Sequence, residues 1–139
     1  MKDVPIKKTV AQMVREAEGK IATWTAADAI KHKDDPNVVF VDLRDIRELW
    51  RDGTIPNSFH APRGMLEFWV DPESPYAKDL FKQPKTFVFF CASGWRAALS
   101  TATVKDMGLD NVAHIGGGFT AWKAAGGPVA AKEQHEKKS

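Results

Sequence analysis

Apolar residues first recur at helical spacing. Ile6, Val10, Met13, Val14 and Ala17 are separated by charges, which predicts an amphipathic helix over residues 5–18, ending at Gly19. Residues 21–24 read as a short extended piece. Thr25 can cap a helix over 26–33, and Asp35-Pro36-Asn37 marks a turn. The pattern then changes. Residues 38–43 (Val-Val-Phe-Val-Asp-Leu) form a continuous β-branched and aromatic run, as expected of a strand buried on both faces. Asp45 can cap a short helix over 46–51, stopped by Gly53. A loop over 54–57 leads to a short strand over 58–61. Residues 64–69 and 74–81 read as helical, with a proline-punctuated loop between them. Residues 86–90 (Thr-Phe-Val-Phe-Phe) repeat the buried-strand pattern. A small-residue loop over 91–96 precedes a helix over 97–107, which Gly108 closes. A strand over 112–115, a glycine turn at 116–118 and a short helix over 119–125 complete the pattern. The last ten residues are charged and expected to fray.

Strands alternating with helices predict an α/β domain: a central, mainly parallel sheet of about five strands flanked by helices. The expected organisation is an N-terminal amphipathic helical extension (1–20), one α/β domain (21–129) and a charged flexible tail (130–139). The length of 139 residues suits one domain. Lys and Arg total 20 against 18 Asp and Glu, a net charge of +2, and much of the basic charge is peripheral. That balance argues against a nucleic-acid or membrane partner. The longest apolar runs are of strand length, far short of a membrane span. Residues 1–5 open on no apolar signal-peptide core, so the expected location is the cytoplasm; a periplasmic protein whose leader had been removed would look the same.

The chain has one cysteine, Cys91. Cysteine count alone favours a small core residue over a reactive thiol. Its position reverses that preference. In an open parallel sheet, sites form beyond the carboxyl ends of strands, and Cys91 ends the 86–90 strand just ahead of a helix. Ala92, Ser93 and Gly94 are small enough to curl so that backbone N–H groups face the sulfur. The following helix aims its positive end there, and Arg96 adds a full charge. Together these favour the nucleophilic thiolate. A cradled thiolate can take the outer sulfur of an anionic donor and pass it to a thiophilic acceptor, with no metal or organic cofactor. The four histidines are widely spaced and show no ligand pattern.

Three stretches carry a family resemblance. The first is Val41-Asp42-Leu43-Arg44 with Glu48, followed by Gly53-Thr54-Ile55-Pro56-Asn57-Ser58. The second is the Cys91–Arg96 loop. The third is Gly116-Gly117-Gly118-Phe119 with Trp122, Gly126 and Pro128. In this order and spacing they resemble the rhodanese family, including its six-residue Cys-x-x-Gly-x-Arg loop. The resemblance implies a compact α/β domain and sulfane-sulfur transfer through a Cys91 persulfide, with thiosulfate as a customary donor. Ala92, Ser93, Gly94, Trp95 and Arg96 would line the donor site, Trp95 as pocket wall or lid. Asp42 and Arg44 would form a structural ion pair supporting the loops, and Arg63 could reach the rim. Thr54 stands where the family usually has His, and Asn57-Ser58 where it has Gly-Ala; both departures look structural.

Two rival functions remain open. Cysteine phosphatases and arsenate reductases share this type of fold, but their loop has five residues between Cys and Arg, where this chain has four. Rhodanese-like domains without activity serve as protein-interaction modules. For the sulfurtransferase, the expected partners are a small anionic donor (thiosulfate, polysulfide or persulfide) and a thiol or cyanide acceptor, such as a thioredoxin-like or other sulfur-relay protein. With no second cysteine, another molecule must unload the persulfide. Monomer and homodimer are both compatible with the N-terminal amphipathic helix.

Overall fold

A computed structural model describes residues 4–134. Five parallel strands form one sheet in the order β1-β5-β4-β2-β3. They are β1 (Ala22–Trp24), β2 (Val38–Asp42), β3 (Phe59–His60), β4 (Thr86–Phe90) and β5 (Val112–Ile115). The helices are α1 (Val10–Glu18), α2 (Ala26–Lys31), α3 (Ile46–Asp52), α4 (Leu66–Val70), α5 (Trp95–Asp106) and α6 (Gly118–Ala124). This is the α/β architecture with a parallel sheet that the alternating pattern predicts.

Strand β4 lies at the centre, between β2 and β5, and its apolar run follows from that place. Phe87, Val88, Phe89 and Phe90 are all fully buried, each contributing about 1.5–3 kcal/mol of apolar burial. Alternation sends Phe87 and Phe89 into a core with Leu66, Phe81, Ala97 and Val104. Val88 and Phe90 enter a second core on the opposite face, with Ala29, Phe119 and Trp122. The sheet is thus covered on both sides. Helix α1 packs outside α5, where Val14 and Ala17 meet Ala98 and Ala102.

Several boundaries differ from the sequence expectation, most by one or two residues; the larger differences have local causes. Helix α1 starts at Val10 rather than near Pro5, because Thr9 is extended and its Oγ1 accepts from Gln12 N at 3.1 Å. The helix expected over 74–81 is replaced by turns. Asp71 and Ser74 side chains accept from the Glu73 and Tyr76 amides, and only a 3-10 turn, Asp79–Lys82, remains. Short polar side chains here compete with the backbone for its hydrogen bonds. Residues 63–65 form a 3-10 turn leading into α4. Helix α5 begins at Trp95, two residues early. In the expected tail, Ala130 pairs with Thr54 through two backbone hydrogen bonds of 2.9 Å. Residues 135–139 of that tail lie outside the described residues.

Candidate functional site

Strand β4 delivers Cys91 to the carboxyl edge of the sheet. Its side chain continues the Phe87–Phe89 alternation and packs in the same core, only 1% exposed. Gly94 then takes φ 114°, in the left-handed region, and caps α5. This left-handed glycine is why the helix starts early. Trp95, Arg96 and Ala97 become its first turn, where amides lack intrahelical acceptors. The Cys91 sulfur accepts from two amides, Gly94 N at 3.2 Å and Ala97 N at 3.4 Å. The positive end of α5 therefore faces the sulfur. Ala92 is half-buried, Ser93 and Trp95 are exposed.

The back of the loop is held by α6. Phe119 N donates to Cys91 O at 2.8 Å and Thr120 N to Ala92 O at 3.1 Å. In a trans peptide unit the N–H points opposite to the C=O. Fixing these two carbonyls against α6 therefore turns the Ala92 and Ser93 N–H groups away from α6. The approach is so close that only glycine fits at 118. A Cβ there would lie 2.5 Å from Cys91 O, and φ is 61°.

Arg96 points along the loop toward α3. Its Nη1 and Nη2 donate to Glu48 Oε2 and Oε1 at 2.8 and 3.0 Å. Glu48 also closes the capping box of α3, accepting from Asp45 N at 3.0 Å. The hydrogen bonds with Arg96 hold the Glu48 carboxyl below its ordinary range. In turn Arg96 is raised, first by Glu48 and to a smaller degree by Cys91, by charge and hydrogen bonding. Arg63 donates to Glu67 Oε1 at 2.6 Å.

Asp42 and Arg44 lie beneath the site, both essentially without exposed surface. Asp42 Oδ1 accepts from Arg44 N and Nε at 3.1 and 3.0 Å; Oδ2 accepts from Arg44 Nη2 at 2.8 Å and Thr54 Oγ1 at 2.7 Å. Arg44 Nη2 also donates to Gly53 O at 2.7 Å, and its guanidinium stacks 4.5 Å from the Phe119 ring centroid. His60 Nε2 donates to Arg44 O at 2.6 Å. This array binds the ends of β2, α3 and α6 together. Thr54, where the family usually has His, fills an Asp42 lone pair. Asn57 takes φ 64°, a conformation that Asn tolerates better than other non-glycine residues.

The structure thus gathers Cys91, Gly94 and Arg96 around the sulfur and sets Asp42 and Arg44 one layer below. Arg63 is engaged with Glu67. The sequence reading places Gly118 and Phe119 in the third family stretch but not in the site, and it does not mark Ala97 or Thr120; the roles of all four reside in backbone groups. It also left Glu48 outside the site. The capping box Asp45-x-x-Glu48 was the available signal for that side chain, but its bond to Arg96 spans 48 residues. The wider surface depressions lie elsewhere. One of about 480 Å³ is bounded by Val70, Phe81 and Met107.

Residues 25–125 match the rhodanese-like domain model. A protein of unknown function from Rhodopseudomonas palustris, described as a possible tyrosine phosphatase, is 52% identical over 94% of this chain and 100% of its own, with a TM-score of 0.91. The polysulfide-sulfur transferase homodimer of Wolinella succinogenes is 28% identical, over 91% of this chain and 90% of its own, with a TM-score of 0.64. A tRNA uridine(34) hydroxylase from Erwinia tasmaniensis is 33% identical over 68% of this chain, which spans only 26% of that protein's length. With the sheet order, the cysteine loop and the matched span in agreement, the chain belongs to the rhodanese-like domain family.

Proposed function

We infer that the protein is a sulfurtransferase that carries sulfane sulfur as a persulfide on Cys91. The observation that carries this reading is the sulfur's environment. The thiol sits at the positive end of α5, accepts two backbone N–H groups and is almost fully buried. Such a site suits a single sulfur atom presented at the tip of a donor. The Cys91 thiolate attacks the outer sulfur, and the donor's remainder leaves with the bonding pair. The amides of Ala92 and Ser93, turned away from α6, add donors for the charge on the carried sulfur. A thiol or cyanide acceptor then attacks that sulfur and regenerates the Cys91 thiolate. Because Cys91 is the chain's one cysteine, the acceptor is another molecule, such as a thioredoxin-like or other sulfur-relay protein.

The description of the R. palustris protein brings a phosphatase reading into view. The four-residue spacing from Cys91 to Arg96 weighs against it, since phosphate needs a larger ring of amides than one sulfur does. Arg96 is also occupied by Glu48. The hydroxylase activity named for the longer relatives belongs to proteins of which this chain matches about a quarter.

Intact-mass measurement after incubation with thiosulfate, polysulfide or a persulfide tests the reading. The expected result is the gain of one sulfur atom, removable by cyanide and absent in Cys91→Ser. No gain with any donor would leave the interaction-module reading. Cys91-dependent hydrolysis of an aryl phosphate would establish the phosphatase.

A further inference from the structure

The mouth of the site carries its cation already neutralised. Arg96 lies in the first turn of α5, between the Gly94 and Ala97 amides that face the Cys91 sulfur, and both of its terminal nitrogens are taken by the two oxygens of Glu48. The pair is part-exposed, with 42% of the Arg96 side chain and 20% of that of Glu48 accessible, so an incoming donor meets the carboxylate along with the guanidinium. Arg63, the other arginine expected near the rim, is likewise paired, with Glu67. Glu48 is held in place twice, by Arg96 and by the capping box of α3, and its proton affinity is lowered, so it stays ionised.

Donor charge then matters. When the Cys91 thiolate attacks thiosulfate, its S–S bond breaks and sulfite leaves with the bonding pair. Three negative charges occupy the mouth throughout. When it attacks the outer sulfur of an organic persulfide RSSH, the thiolate RS⁻ leaves and the proton stays on the transferred sulfur. One negative charge is then present throughout. Neither reaction needs an oxidant or reductant.

We propose that Glu48 is a specificity-determining residue that biases the Cys91 site against dianionic donors, making the persulfide of an organic thiol its preferred sulfur source over thiosulfate. This rests on the sulfurtransferase reading above and narrows its donor class.

The test compares kcat/KM for loading Cys91 from thiosulfate and from the persulfide of 2-mercaptoethanol, in wild type and in Glu48→Gln. Glutamine can still close the capping box and accept one hydrogen bond from Arg96, so a folded variant is expected, checked by circular dichroism. Wild type should prefer the persulfide. Glu48→Gln should lower that preference by roughly three- to ten-fold, the scale of one part-exposed charge interaction, with the change shrinking as salt is added. Glu48→Asp, which keeps the charge, should retain most of it. If Glu48→Gln does not fold, wild type alone decides: loading from thiosulfate should accelerate with ionic strength as repulsion is screened. A preference unmoved in Glu48→Gln, a wild type that favours thiosulfate, or thiosulfate loading slowed by salt would overturn the inference while leaving the sulfurtransferase standing. Failure of both donors to load Cys91 would overturn both.

Discussion

Replacing Thr120 with proline would remove one hydrogen atom that the site depends on. Thr120 is exposed and lies in the first turn of α6, where proline is tolerated because no intrahelical bond is lost. What is lost is its amide bond to Ala92 O, 3.1 Å long. A backbone hydrogen bond contributes about 0.5–1.5 kcal/mol to stability, so the melting temperature should fall by only about 2–6 °C. The effect on turnover should be larger. With Ala92 O released, the peptide unit can rotate and the Ser93 N–H is no longer fixed. If that amide serves the charged persulfide, its contribution is about 1.5–3 kcal/mol, or roughly ten- to hundred-fold in the loading rate. The assay is single-turnover sulfur loading followed by mass, alongside thermal melting. Thr120→Ala, which retains the amide, is the control. A Thr120→Pro protein that melts slightly lower yet loads sulfur at the wild-type rate would refute the claim that α6 orients the cradle.

Gly118→Ala should reduce loading even more and also destabilise the fold, since its Cβ would lie 2.5 Å from Cys91 O at φ 61°; kinetics and melting of the variant check both. Arg44→Met should cost about 3–5 kcal/mol by leaving Asp42 as a buried, uncompensated charge, and the double substitution with Asp42→Asn should recover part of that loss in urea titrations. Arg96→Ala should weaken donor turnover with the fold intact; unchanged kinetics would remove Arg96 from the site. His114 is buried, with Nε2 shared with Thr23 and Nδ1 unpartnered, and burial lowers its proton affinity. The unfolded chain therefore takes up this proton first, and stability should be full above about pH 6.5 and decline as pH falls toward the folded-state value. His114→Leu should flatten that slope in melting scans between pH 8 and 5.

The central strand, the cysteine loop and the following helix were legible because each follows from local chemistry: an apolar run, small residues, then helix formers. Thr25 and Asp45 were readable as caps for the same reason, and both cap helices in the structure. The 74–81 segment misled because its apolar spacing is helical, while Asp71 and Ser74 bend the chain through side-chain bonds that spacing does not register. The start of α5 depended on the φ of Gly94, which glycine permits but does not announce. What sequence could not show was convergence. The Glu48–Arg96 pair and the grip of α6 on Cys91 and Ala92 join residues far apart in the chain, and neither partner's local pattern names the other.

That grip has a consequence for how the protein comes into being. Residues leave the ribosome in order, so a nascent chain ending at β5 already contains the thiol and helix α5 but not the two amides that fasten the loop from behind. Through that interval the cysteine is present without the completed cradle. Since domains settle as units when their last element arrives, a competent site should appear only once α6 has docked, and a chain truncated after Ile115 should carry a thiol that does not hold sulfur.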